Sequence, residues 1–317
     1  MGKSTNIVME NCTPAYRFER VSQANISDLV YLMKSVHGQS KPKEYYERKF
    51  STKQFGADYI GFFAYAESHE PAAYYGVYPY QLEINGDHFL GAQSGDTITH
   101  PNHQRKGLFL QLAKLTYDLA REEGIHVIFG FPNGQSAPGF FKKLNWLETG
   151  DFTSYSFEFK NSNIYNITHK YSLTKWLYKI HFNAVYPFVR SKVFQNPERR
   201  PDVATVTHNS SYVNYKRYEK SYLIKVNGIR FWIKFDDGIR IGAMEEINEH
   251  TLATLRKLAR IFGVKKVSIV VGPNSVFKAF LEKNCNAKSA VIKIGYLELQ
   301  IDSKRDYCFT YADLDTF

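Results

Sequence analysis

The alternation of apolar and polar residues along the chain predicts a succession of short strands and amphipathic helices. Tyr16–Val21 (YRFERV) alternates and predicts a strand. A Ser27-Asp28 cap then leads into a helical pattern through Leu29, Leu32, Met33 and Val36, which Gly38 stops. Aromatic-rich strands are predicted at Tyr59–Ala66 and Ala72–Tyr78, followed by Pro79 and an Asn85-Gly86 hairpin turn. His88–Thr99 predicts a strand that runs into His100-Pro101. Phe109–Glu123 predicts a helix, since Leu110, Leu112, Ala113, Leu115, Leu119 and Ala120 share a broad apolar face and Gly124 closes it. A buried strand at His126–Phe131, a Pro-Asn-Gly loop and a short helix over Pro138–Leu144 complete the first half.

The second half repeats this order. Val267–Val271, Gly272-Pro273-Asn274-Ser275 and Val276–Asn284 echo Val127–Asn145, and Thr251–Phe262 echoes the long helix. Tyr212–Tyr218 resembles Tyr45–Phe50, each ahead of an aromatic strand. Three echoes in one order predict a duplicated fold. A first domain is expected over residues 1–160, a helical connector and linker over 161–200, and a second domain over 201–317. The basic, aromatic stretch Lys170–Phe194, interrupted at Pro187, reads as a packed connector or as a membrane-surface helix. The linker proper is expected at Asn196-Pro197-Glu198-Arg199-Arg200-Pro201.

Composition narrows the class. With 317 residues, 44% of them hydrophobic and 23% charged, the chain can bury two ordinary cores, which excludes a disordered protein. Three scattered cysteines without a C-x-x-C pair exclude a disulfide scaffold and a zinc ribbon. No apolar run approaches the ~18–20 residues of a membrane span. Met1–Glu10 lacks a signal-peptide core, and Asn6 departs from the myristoylation pattern that Gly2 begins. A cytoplasmic setting is therefore expected. The formal charge of +10 favours an anionic partner: nucleic acid, a phosphorylated cofactor or substrate, or an acidic membrane surface. His100 and His103 flank Pro101 outside any predicted helix, so no metal site is expected.

The stretch with the most specific chemistry is Gly95–Ala120 (GDTITHPNHQRKGLFLQLAKLTYDLA). A strand ends at Pro101, a polar and basic loop follows, and a long helix opens at once. The N–H groups of such a loop and of the first helical turn can cradle a phosphate or diphosphate, with Gly107 permitting close approach. Strand, x-Pro and then Gln104-Arg105-Lys106-Gly107-Leu108-Phe109 resembles the acetyl-CoA loop of the GCN5-related N-acetyltransferase (GNAT) superfamily. Gln104 and Gly107 match the motif, whereas Phe109 stands where relatives usually carry Gly or Ala.

The resemblance covers residues 16 to 150 and implies an α/β (α+β) fold: a mixed, mostly antiparallel central sheet flanked by helices, duplicated in this chain. It implies acetyl-CoA as acyl donor, held by Gln104, Arg105, Lys106, Gly107, Leu108 and Phe109. Ile98 and Thr99 would lie beside the pantetheine arm and acetyl group, and Asn133 would touch the arm, although an Asn-Gly loop also suits turn chemistry.

Direct attack by an amine requires removal of the acceptor's proton. Asp96, five residues before Pro101, stands where many relatives have a carboxylate and is the leading base. His100 shares its strand face at period two and carries an imidazole, a side chain suited to proton transfer. The usual acid, a Tyr in the short helix, is replaced by Phe141. In some tandem relatives the terminal carboxylate is the base, which makes Phe317, ending the acidic and aromatic stretch Tyr311–Phe317, a third candidate; a frayed tail is the alternative. The second half has Glu245-Glu246-Ile247-Asn248-Glu249 in place of the loop and reads as a degenerate copy that shapes the acceptor site. The expected activity is acetyl transfer to a primary amine of a small acceptor, with an amino sugar of surface polysaccharide synthesis suggested by similar proteins. Two alternatives stand beside it: a tRNA-dependent aminoacyl transferase of the peptidoglycan branch-forming type, and a non-catalytic CoA-binding protein of the same fold. Nucleic acid is not the expected partner, because the loop is a CoA feature.

Overall fold

The alternating stretch near residue 17 becomes β1 (Arg17–Arg20), the first edge strand of a sheet in a computed structural model that describes residues 16–196, 198–300 and 305–317. The readings of Met1–Glu10, Gly2 and Pro197, and one of the three scattered cysteines, Cys12, lie outside the described residues. Next come α1 (Ile26–His37) and α2 (Lys43–Phe50), then the antiparallel meander β2 (Ile60–Tyr65), β3 (Pro71–Ile84) and β4 (Asp87–Thr99). Helix α1 begins just before the expected cap; Asn25 precedes it and takes the Ser22 N–H on its side-chain oxygen. The pattern does not announce α2, because its buried face is Tyr46, Lys49 and Phe50 and a lysine interrupts the apolar stripe. Asn85 and Gly86, at φ 55 and 88, make the two-residue turn between β3 and β4 that their sequence predicts. Pro79 sits within β3 where β2, paired only as far as Val77, has ended and the next neighbour has not begun, so its missing N–H costs no ladder bond on that side.

The chain continues through α3 (Leu108–Glu122), β5 (Val127–Gly130), α4 (Ala137–Lys143) and β6 (Leu147–Glu158). A helical hairpin, α5 (Ile164–His169) and α6 (Lys175–Val189), leads to β7 (Val203–Val206). Helix α6 runs through Pro187 rather than breaking there, since Pro187 falls in its last turn. The second half is α7 (Ser210–Tyr215), β8 (Ser221–Val226), β9 (Ile229–Asp236), β10 (Gly238–Met244), α8 (Thr251–Ile261), β11 (Lys266–Val271), α9 (Lys278–Asn284), β12 (Ala287–Glu298) and β13 (Asp306–Tyr307).

The strands form one mixed, mostly antiparallel sheet in the order β1-β2-β3-β4-β5-β12-β6-β11-β10-β9-β8. The two halves exchange their last strands. Strand β12, from the second half, pairs with β5 of the first; β6, from the first, pairs with β11 of the second; and β12 and β6 pair with each other. The sheet therefore crosses the expected boundaries at 160 and 201 without a break. The tail after β13 returns to the first half, where Phe309 stacks on Phe129 at 4.3 Å and Tyr311, Leu314 and Phe317 join the core beneath α1 and α2. Burying a large side chain of this kind contributes ~1.5–3 kcal/mol. Among the described residues no helix is long and apolar enough to cross a membrane.

Candidate active site

Strands β4 and β5 run parallel and pair from Gly91 with Val127 to Ser94 with Gly130, and then part. A bulge marks the divergence: Gly76 faces Gly95 but Tyr74 faces Ile98, so Asp96 and Thr97 together oppose Tyr75. Asp96 is left-handed at φ 52, uncommon for a residue with a side chain. Beyond Ser94 the β5 side of β4 has lost its ladder partner, which leaves backbone groups along that edge free for a ligand. A cleft of about 370 Å³ opens at the split. Gln93–Thr97 line one wall; Gly130–Asn133, Ser136, Phe140 and Trp146 line the other; Met33 and His37 of α1, Ile292 and Leu314–Thr316 complete it.

Burial and charge converge at one end of this cleft. Lys49 is fully buried, and its ammonium donates to Asp96 Oδ2 at 2.5 Å and to Asp315 Oδ2 at 2.6 Å. Burial works against the charged amine, but the Asp315 and Asp96 carboxylates outweigh it and hold its pKa well above the ordinary lysine value. Burial likewise works against the Asp315 carboxylate, and Lys49 overrides that, so its pKa lies below the usual range. Asp315 also accepts from Gln93 Nε2 at 3.2 Å, and the Tyr78 hydroxyl donates to Asp96 Oδ2. Asp96 Oδ1 accepts no hydrogen bond from any described residue.

The tail that carries Asp315 is held on all sides. Tyr218 donates to the Asp315 carbonyl at 2.8 Å, Lys216 to the Leu314 carbonyl and Lys234 to the Thr316 carbonyl. Burial pushes Lys216 down to about 8 despite nearby carboxylates. Below these contacts His208 Nε2 lies 2.6 Å from Asp313 Oδ1 in a buried pair.

At the far end of β4, residues Pro101–His103 form one tight turn and Gln104–Gly107 lead into α3. Arg105 and Gly107 are left-handed, at φ 62 and 75, on either side of Lys106. Alternation of hand points successive N–H groups to one side, the geometry of an anion nest. The N–H groups of Arg105–Phe109 have no acceptor among the described residues; the next two, of Leu110 and Gln111, fold back on the Gly107 carbonyl. The Phe109 ring turns inward between α3 and α4, 5.2 Å from Phe140, in a space that Gly139 leaves: a Cβ there would lie 2.7 Å from the ring.

Residues 17–148 match the family model described as "Acetyltransferase (GNAT) domain". These residues form a GNAT acetyltransferase domain. The chain shares its fold with a GCN5-related N-acetyltransferase from Kribbella flavida, at TM-score 0.59 and 11% identity over 90% of this chain and 72% of that one. A conserved protein from Enterococcus faecalis described as a probable N-acyltransferase aligns at 0.58 and 11%, over 90% and 73%. A putative acetyltransferase from Pyrococcus horikoshii aligns at 0.52 and 15%, over 99% and 98%. No curated protein matches the sequence. The GNAT domain supports an acyl-transfer function.

The GNAT domain gathers some of the expected site residues and separates others. Asp96 lines the cleft. Ile98 is buried in the core beneath α1, with Thr99 ending the same strand. Asn133 also lines the cleft, with its side-chain oxygen occupied by the Gln135 and Ser136 N–H groups at 3.0 Å, as turn chemistry requires. His100 does not reach the cleft: strand β4 has ended, and the imidazole caps the following turn by accepting the Asn102 N–H. Phe317 lies outside the cleft too, its ring against Tyr311 in a separate cavity with Arg240. The tail enters the site through Asp315 instead. Phe141 lies against Gly295 of β12.

Strands β10 and β11 of the second half also run parallel and pair only from Ile239 with Val267 to Ile241 with Ile269. Phe277, Phe309 and Thr310 occupy that second split and leave a void of about 10 Å³, too small for a ligand. Sequence reasoning missed Lys49, Gln93 and Asp315. The available signal for Lys49 was a cation at i+3 from Tyr46 on an otherwise apolar helix face.

Proposed function

We propose that the chain is an acetyl-CoA-dependent N-acetyltransferase acting on a primary amine of a small acceptor. The observation that carries this reading is the parting of β4 from β5 after Ser94 and Gly130, with a lined cleft at the split and an anion nest at the start of α3. The nest, the acceptor-free N–H groups and the cations Arg105 and Lys106 suit a diphosphate. The open edge of β4 beyond Ser94 suits an extended amide-bearing arm, with Ile98 and Thr99 on the strand that would carry it. The residues present therefore fit acetyl-CoA. A thioester supplies an activated acyl group whose thiolate leaves readily without a protein acid, so Phe141 in place of a tyrosine is tolerated.

Asp96 is the proposed base. Its Oδ1 is available to bind the acceptor's ammonium and take a proton, while Lys49 and Tyr78 fix Oδ2 and keep the group oriented. Residues 1–160 bind the donor in this account, 161–200 connect, and 201–317 shape the acceptor end by bringing Asp315 to Lys49. The hydroxyl and amide lining of Gln93, Ser94, Thr97, Asn133 and Ser136 suits a hydroxyl-rich acceptor, so an amino sugar of surface polysaccharide synthesis is the first class to test. The assay is free-thiol release from acetyl-CoA over amino sugars, polyamines and peptides. Turnover with one class, and its loss in Asp96→Asn, supports the proposal. Acetyl-CoA binding without thiol release from any class points instead to a binding protein.

A further inference from the structure

We infer that the α5–α6 hairpin is a docking face for an anionic lipid surface. Helix α6 is amphipathic twice over. Tyr178, Phe182, Val185, Tyr186 and Val189 form one stripe, packed on the second-half core or buried beside it. Trp176, Leu177, Ile180 and Phe188 lie along the opposite face, and Leu173, in the turn just before the helix, continues the same spacing. That face is in water: Leu173 is 84% exposed, Trp176 58% and Phe188 89%. Ile167 and Tyr171 of the α5 turn extend it. An apolar stripe of this kind on a helix already anchored by its other side is not explained by the fold.

Charge identifies the occupant. From Lys160 to Asn196 the sequence contains no Asp or Glu, but it carries Lys160, Lys170, Lys175, Lys179, Arg190 and Lys192. None of these cations is in an ion pair among the described residues. Two of them, Lys175 and Lys179, stand near the α6 N-terminus, where positive charge opposes the helix dipole, so they do not serve helix stability. Exposed aromatic and aliphatic side chains fringed by unpaired cations match a bilayer interface with acidic headgroups. A second copy of the chain would bring one cationic face against another and be repelled.

The molecule carries its own reporter. Of its three tryptophans, Trp146 and Trp232 are buried and Trp176 lies on the proposed face. The experiment titrates the full chain with vesicles of phosphatidylcholine alone or with roughly one-third phosphatidylglycerol, reading co-flotation and tryptophan emission. Roughly tenfold or greater preference for the anionic vesicles, a blue shift of emission and release by high salt are expected. Leu173→Ser/Trp176→Ser and Lys175→Gln/Lys179→Gln should each weaken binding several-fold while far-ultraviolet circular dichroism and melting temperature stay unchanged. Equal partition onto both vesicle types, or none, overturns the inference. So does a concentration-dependent dimer in sedimentation that the serine variant abolishes, which would assign the face to a second copy.

Discussion

At the scale of single residues, the cluster Lys49, Asp96 and Asp315 sets both chemistry and stability. Asp96→Asn retains size and hydrogen bonding but removes the base, so kcat should fall ~10²–10⁴-fold, read by the thiol-release assay. Lys49→Met is expected to act on folding, because it leaves the Asp96 and Asp315 carboxylates facing each other without the buried cation that pairs them. Breaking a buried pair in this way costs ~3–5 kcal/mol, and urea denaturation checks it. Replacing Asp315 by Asn in the same chain should recover part of that loss. The pH dependence follows from the direction of the Asp315 shift. A carboxyl held below its unfolded value of 3.8 adds stability that is present above that value and lost as pH falls through the lower folded value. The gap in stability between wild type and Asp315→Asn should therefore shrink on acidification below about pH 4. Of these residues only Asp96 was readable beforehand. Its spacing from Pro101 is local, whereas Lys49 and Asp315 are 266 positions apart and meet only through the fold.

At the scale of elements, the loop before α3 was legible because it is contiguous: polar and basic residues, one glycine and a helix start occupy a single window. The bulge at Asp96–Thr97 left no comparable signal, since it depends on the register against β3. Helix α2 was hidden by the lysine on its buried face, and His100 was misplaced because a period of two cannot show that the strand stops at Thr99. Gly107 gives the sharpest test at this scale. At φ 75 it caps α3, so Gly107→Glu adds both backbone strain and a negative charge beside the N–H groups proposed to hold the diphosphate. Fold content should be kept, by circular dichroism, while donor binding is lost.

At the scale of the whole molecule, the repeat of elements was visible in the sequence, but the exchange of β6 and β12 was not, because pairing partners leave no local pattern. That exchange predicts joint folding: calorimetry should give one transition, and a fragment ending at residue 200 should fail to fold, as it lacks the strand between β5 and β6. Two resolved transitions, or a soluble cooperative fragment, would contradict this. The same closure brings the tail to the cleft and fills the second split. The most direct test of that site is isothermal titration of acetyl-CoA into wild type and Gly107→Glu. Stoichiometric binding near one per chain in the wild type, weakened at least ~100-fold in the variant, is the predicted result. No binding heat in the wild type, or equal affinity in both proteins, would contradict the claim that this turn grips the donor.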